Sequence, residues 1–347
     1  MRHTQLGRSG LKVSTACLGT MNFGMNVGTR PGMNPGSSGG CDETEAARIV
    51  DAFLEAGGNV IDTADAYNGG ESERVVGRAV RGRRDSVVLA TKAFLPQGPG
   101  PNDRGLSRAH LTRALEGSLR RLGTDHVDLY QCHQWDDSTP IEETMATLDG
   151  FVRSGKVRYI GCSNFTAAQI VESQWAAERA GGTPFVSLQP QYSLLARSIE
   201  AEILPVCRRH GLGTLVWSPL GGGVLAGRYR RGEAPGPGTR MARLRASPMP
   251  MARAWADGLL NEPNLVVAEH VAEAAAGLGA TPAAVALAWV RRRPGVTSVV
   301  VGPRTLDQLR DNLAGLDLDL PPEVAARLDE VSRPARTAPV DGTRAGE

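Results

Sequence analysis

Short apolar runs alternate with longer amphipathic ones along almost the whole chain. The apolar runs are ACLGT (16–20), NVID (59–62), VVLATK (87–92), VDLYQCH (127–133), VRYIGCSN (157–164), FVSLQPQ (185–191), GTLVWSPL (213–220) and TSVVVG (297–302). Their shortness and apolar content predict buried strands. Between them, DETEAARIVDAFLEAG, SRAHLTRALEGSLRRLG, PIEETMATLDGFVRSGK and TAAQIVESQWAAERAGG repeat apolar residues at three- and four-residue spacing. That period predicts helices with one face buried. Asp42, Ser107, Thr139 and Thr166 stand where N-caps belong, and Gly57, Gly123, Gly155 and Gly181 where helices stop.

Strands alternating with helices make a parallel sheet, open or closed into a barrel. The strand ends favour closure. Thr20, Asp62, Lys92, His133, Ser163, Asn164, Gln189, Ser218 and Gly302 all lie at C-terminal ends. In a (β/α)8 TIM barrel these ends meet at one rim, where chemistry is built. The fold class expected is therefore α/β, a TIM barrel of one domain over residues 1–333, with 334–347 as a loose tail. HTQLGRSGLKVS reads as an N-terminal hairpin placed to plug the barrel, and TLDQLRDNLAGL and PPEVAARLDEVSR read as helices after the last strand. Residues 25–41 and 231–263, rich in Gly and Pro, follow the first and seventh strands and should lie over the rim, the second with helical character around MARLRA and PMARAWADGLL.

Composition narrows the class. The 41% hydrophobic and 22% charged fractions are those of a globular protein, and 39 basic against 37 acidic residues call for neither nucleic acid nor membrane as partner. The first residues lack the apolar core of a signal peptide, and the 5 cysteines are scattered with no CxxC pair, so a cytoplasmic protein with reduced thiols and no metal is expected.

Asp62, Tyr67, Lys92 and His133 fall at the mouths of the second, third and fourth barrel strands. Alone, each has a structural use. Together they form a set for protonating an oxyanion as a carbonyl is reduced. A free phenol has a pKa of about 10, and a neighbouring ammonium should lower it. Asp62 pairs with Lys92 and keeps it charged, while His133 orients the carbonyl oxygen.

NVIDTADAYNGGESERVVG, VVLATK, LYQCH, GKVRYIGCSNF, QPQYSLL and WSPLGGGVLAGRY resemble, in order, the motifs of the aldo-keto reductase superfamily, nearest its bacterial and potassium-channel β-subunit-like branches. The resemblance spans about residues 2–332. It implies a (β/α)8 barrel, NADPH/NADP+ as cofactor held without a Rossmann domain, and small aldehydes or ketones as substrates, with reversal to alcohol oxidation open. It also implies Tyr67 as proton donor, Lys92 and Asp62 as its tuning pair, and His133 as the orienting residue.

A dinucleotide fingerprint is indeed missing, since GGG at 221–223 has no GxxG continuation and comes late. Ser163, Asn164 and Gln189 carry amides and a hydroxyl suited to a carboxamide, and the resemblance assigns them to the nicotinamide. Trp217 offers a flat face for that ring. Ser218, Pro219, Leu220 and Gly222, with Arg228 beyond, supply backbone and counter-charge for a pyrophosphate. Gly302 and Arg304 precede a helix N-terminus, a natural phosphate site. By resemblance Arg304 and Gln308 meet a 2′-phosphate, Asp311 and Asn312 the adenine, and Gly19, Thr20 and Met21 border the nicotinamide. Arg240 aligns with a further phosphate-side arginine. Phe23, Phe94 and Trp135 are candidate apolar walls. Two rivals are an aldolase-type barrel with a Lys92 Schiff base, and a redox-sensing subunit that binds NADPH with little turnover.

Overall fold

The computed structural model describes residues 1–24 and 40–334. A hairpin opens the chain, β1 (His3–Gln5) pairing antiparallel with β2 (Lys12–Ser14). Eight parallel strands then close into a barrel: β3 (Ala16–Gly19), β4 (Val60–Asp62), β5 (Val88–Ala93), β6 (Val127–Cys132), β7 (Val157–Ser163), β8 (Ser187–Gln189), β9 (Gly213–Val216) and β10 (Ser298–Val301), with β10 returning to β3. Helices α1 (Glu43–Glu55), α2 (Glu71–Ala79), α3 (Arg108–Leu122), α4 (Ile141–Arg153), α5 (Ala167–Arg179) and α6 (Ile203–His210) follow successive strands. After β9 come α7 (Arg240–Arg245), α8 (Pro250–Leu259), α9 (Glu262–Gly277) and α10 (Pro282–Arg291); α11 (Leu306–Asp317) and α12 (Pro322–Val331) end the fold.

The TIM-barrel expectation is met, and all eight strand windows hold. Two shrink. FVSLQPQ keeps only Ser187–Gln189, because Pro190 has no N–H to donate to a ladder. GTLVWSPL keeps Gly213–Val216, since Ser218 turns to a positive φ of 56°. Asp42, Ser107 and Thr166 cap their helices, Thr166 within a full capping box. Thr139 does not: Pro140 takes the cap position of α4, and the Thr139 hydroxyl donates instead to Asp136 Oδ2 at 2.7 Å. The helical character expected in 231–263 is present as α7 and α8. Residues 25–39 of the first rim loop, and the tail from 335, lie outside the described residues.

Side chains alternate between two cores, as a pleated strand requires. Val60, Val88, Ala90, Leu129, Leu215 and Val300 point into the barrel, where Leu6 and Val13 of the hairpin close its lower end. Leu18, Ile61, Leu89, Tyr130, Ile160 and Val299 point outward beneath the helices. The hairpin seats tightly. A Cβ on Gly7, at φ 61°, would come 2.2 Å from the Gly211 carbonyl oxygen, which accepts from Arg8 N–H at 2.8 Å. The same alternation sets up the rim: two residues beyond inward Val60 comes Asp62, beyond Ala90 comes Lys92, and beyond Leu129 come Gln131 and then His133.

Candidate active site

Lys92 is fully buried, and its ammonium donates to Asp62 Oδ2 at 2.6 Å, to the Thr63 carbonyl at 2.8 Å and to Tyr67 Oη at 3.3 Å. It also lies 5.0 Å from the centroid of the Tyr67 ring. The other oxygen of Asp62 accepts from Gln189 Nε2 at 2.8 Å and Gln131 Nε2 at 3.1 Å. A buried ion pair is tolerated only when its remaining lone pairs and protons are met, and here they are. The His133 ring stands edge-on to Tyr67, centroids 5.7 Å apart. Four side chains from separate stretches therefore converge.

Tyr67 hangs on a short turn, Tyr67–Gly70, rather than on a strand. Asn68 adopts φ 49°, ψ 38°, and Gly69 and Gly70 continue at positive φ. The Asn68 carboxamide anchors this turn to the first rim loop, donating to the Phe23 carbonyl at 2.6 Å. Phe23 itself is fully enclosed and serves the scaffold.

Electrostatics sort these groups by role. Burial alone would depress the Lys92 ammonium, yet Asp62 and then Tyr67 outweigh it and its pKa is raised. The Tyr67 phenol departs from the sequence expectation. Burial raises its pKa, Lys92 pulls it back, Asp62 pushes it up again, and the net direction is upward. The lysine moderates the phenol without turning it acidic, because burial first and Asp62 after it outweigh its field. Tyr67 therefore keeps its proton through the neutral range. His133 is half-buried, with Nδ1 enclosed and unpartnered. That desolvation, then the Lys92 ammonium, drives its pKa down to about 3, so the ring is neutral.

Asp65, next to this set in sequence, is not part of it. It is wholly buried, with both carboxylate oxygens unpartnered. Burial and then the Glu73 carboxylate hold its pKa well above the usual range. Glu73 is satisfied by Thr91 and Arg121, each at 2.6 Å.

The remaining candidates ring the same mouth. Ser163 Oγ donates to the Gln189 carbonyl at 2.7 Å; Asn164, at φ 60°, donates to Ser163 Oγ and to the His133 carbonyl, both at 3.1 Å. Trp217 donates its indole N–H to Asn164 Oδ1 at 3.0 Å, which fixes the plane of that ring over the barrel. Gly19 lies in register with Asp62, while Thr20 turns its hydroxyl toward the Asp62 carbonyl and Ser72. Met21 continues the same rim segment, and Asn22 ties it to β10 by donating to the Gly302 carbonyl at 2.9 Å. Gln308 accepts from the Arg304 N–H at 3.0 Å; Asn312 is buried and Asp311 exposed. After Ser218, Pro219 and Leu220 the chain enters the turn Gly221–Ala226, in which Gly222 and Gly223 hold φ 65° and 97° that a side chain would resist.

Arg228, Arg240, Arg243 and Arg304 form the second cluster, and none of the four has a carboxylate partner among the described residues. Arg240 stacks on Trp255 at 5.1 Å, and its buried Nε lacks an acceptor, as does that of Arg243. Burial, then Arg304 and Arg243, lower the Arg240 pKa to about 10. Burial, then Arg243 and Arg228, lower Arg304 too. Arg240, Arg243 and Arg304 are half-buried and Arg228 is exposed, and partly desolvated cations without an anion are costly. Such a cluster has the charge to receive a polyanion.

Gln131 and Arg243 join these two clusters without a motif of their own. Gln131 sits two places before His133 in LYQCH, and the period of two that placed His133 also places it inward. Arg243 lies one turn after Arg240, but only the existence of α7 puts the two together.

The chain matches the model of the Aldo/keto reductase family over residues 16–333. It belongs to that family. It is 42% identical over 342 residues to the uncharacterized oxidoreductase YrpG of Bacillus subtilis, covering 95% of this chain and 96% of that protein. It is 36% identical to a probable voltage-gated potassium channel subunit beta of Arabidopsis thaliana, covering 97% and 98%. A norsolorinic acid reductase of Aspergillus flavus is 33% identical over 93% of this chain and 78% of its own length. The aldo/keto reductase is thus an oxidoreductase with a TIM-barrel fold. Among the described residues no single helix is long and apolar enough to cross a membrane, and no His/Cys/Asp/Glu group fits a metal.

Proposed function

We propose that this aldo/keto reductase reduces aldehydes or ketones with NADPH, with Tyr67 as the proton donor. The observation that carries the proposal is the buried chain of contacts from Asp62 through Lys92 to Tyr67 Oη. NADPH, when bound, would supply the hydride for the carbonyl carbon. As charge gathers on the carbonyl oxygen, Tyr67 gives up its phenolic proton. Lys92, held charged by Asp62, stabilises the phenolate that remains. His133, neutral, donates one ring N–H to the carbonyl oxygen and orients it. The Schiff-base rival is disfavoured, because a lysine locked in an ion pair and kept protonated is a poor nucleophile.

The donor set fits the cofactor. The pyrophosphate and 2′-phosphate together bring about four negative charges, against four guanidiniums lacking carboxylate partners. Arg304, Arg240 and Arg243, with Gln308, would hold the 2′-phosphate side. Arg228 and the backbone of Ser218–Gly222 would hold the pyrophosphate. Asp311 and Asn312 would border the adenine, and Ser163, Asn164, Gln189, Trp217, Gly19, Thr20 and Met21 the nicotinamide. The potassium-channel subunit relatives favour a second reading, a cofactor-binding regulatory subunit with slow turnover. Following cofactor oxidation across aldehydes, α-dicarbonyls and keto-sugars, with NADPH and NADH side by side, separates the two. Turnover supports the reductase, and NADPH binding without oxidation supports the subunit.

A further inference from the structure

Trp217 is gripped by its backbone as well as by its indole. Its N–H donates to the Pro190 carbonyl at 2.9 Å, and its carbonyl accepts from the Tyr192 N–H at 3.1 Å. These two bonds form a single parallel bridge between Gln191 and Trp217. Strands β8 and β9 have both ended before it, at Gln189 and Val216. The placement of Trp217 therefore depends on where residues 190–192 are held.

Their anchor lies at the other end of the chain. Tyr192 is fully enclosed, and its hydroxyl donates to Glu200 Oε1 at 2.6 Å. Arg197 grips both oxygens of Glu200, Nε at 2.9 Å and Nη2 at 3.0 Å. Its remaining nitrogen donates to the Asp329 carbonyl and to Ser332 Oγ, each at 2.9 Å. Asp329 belongs to α12, and Ser332 directly follows that helix. Trp289 of α10 seals the tie: its ring lies 5.6 Å from Tyr192 and 5.2 Å from the Arg197 guanidinium, and its N–H donates to Asp329 Oδ1 at 2.9 Å. A phenylalanine at 192 would fill the same space against Trp289. The hydroxyl and the ion pair that receives it add direction rather than bulk. Bidentate, charge-assisted bonds of this kind fix one geometry.

We propose that Tyr192 is a positioning residue: through Glu200 and Arg197 it ties the backbone clamped on Trp217 to α12, and so sets the plane offered to the nicotinamide. This rests on the cofactor reading above. The matched probes are NADPH and 2′-phosphoadenosine 5′-diphosphoribose, which share the adenine and every phosphate and differ in the nicotinamide. In calorimetric titrations, Tyr192→Phe should weaken NADPH about tenfold and leave the fragment within about twofold of wild type. Arg197→Gln should give the same pattern, and the double variant should lose little more than either single one, as expected of two links in one chain. Glu200→Gln keeps an acceptor for the phenol without its charge and should fall between wild type and Tyr192→Phe; it carries the comparison if the phenylalanine variant does not fold. Equal weakening of both probes marks a purely structural role, and unchanged NADPH affinity removes the tie; either overturns the inference. Binding of both probes by the wild type, with NADPH unaffected by the variants, removes the Tyr192 role alone. A wild-type protein that binds neither probe removes the cofactor reading as well.

Discussion

At the scale of single residues, the protonation states decide what this pocket does. A proton donor must hold its proton until the transition state, and a carbonyl-orienting imidazole must be neutral to avoid competing with it. The upward shift of Tyr67 and the downward shift of His133 meet both conditions. His133 binds a proton only below about pH 3, so reduction should show no inflection near the ordinary histidine value of about 6.5. A pH–rate profile with a histidine inflection between pH 5 and 8 in the wild type would contradict this. Loss of rate belongs at the alkaline end, where Tyr67 deprotonates and can no longer donate. On the cofactor side, Arg304→Ala should weaken NADPH by about 10- to 100-fold, the scale of a charge-assisted hydrogen bond, and NADH much less. Equal loss for both cofactors in a fluorescence titration would remove the 2′-phosphate assignment.

At the scale of elements, strands and turns divide the labour. Strands β4, β5 and β6 deliver Asp62, Lys92 and the approach to His133 by simple alternation, which is why these were legible from sequence: the periodicity that buries Val60 and Ala90 also fixes where the polar residues point. Tyr67 depends on a left-handed turn secured by one carboxamide. Asn68→Ala should cost about 1–3 kcal/mol through the lost bond to the Phe23 carbonyl and the strained φ, and should lower kcat more than it changes NADPH affinity. Urea unfolding alongside single-turnover kinetics checks both; unchanged stability and rate would show that the turn needs no such anchor. Less legible was the second rim insertion. Arg243 is not legible there because α7 is a short helix in a Gly- and Pro-rich stretch, where periodicity carries little information. Thr139 was misplaced as a cap because Asp136, three residues earlier, competes for its hydroxyl.

At the scale of the molecule, stability and chemistry occupy opposite ends of one barrel. The lower end is closed by Leu6 and Val13 on the hairpin, the upper end by the polar set and its arginines. Leu6→Ala should cost about 2–5 kcal/mol of stability while leaving kcat close to wild type, because the plug touches nothing at the rim. A parallel fall in kcat would mean that the two ends are coupled. The fold and the convergence of Asp62, Lys92 and His133 could be read from the chain, since both follow from alternation and from residue types at strand ends. The net pKa direction of Tyr67 could not, because it depends on how far burial and Asp62 together outweigh the lysine. The most direct test of the whole account is pre-steady-state hydride transfer in Tyr67→Phe, measured beside NADPH binding. The account predicts affinity within about twofold of wild type and a reduction rate lower by about 10²-fold or more. Full turnover in that variant would contradict it.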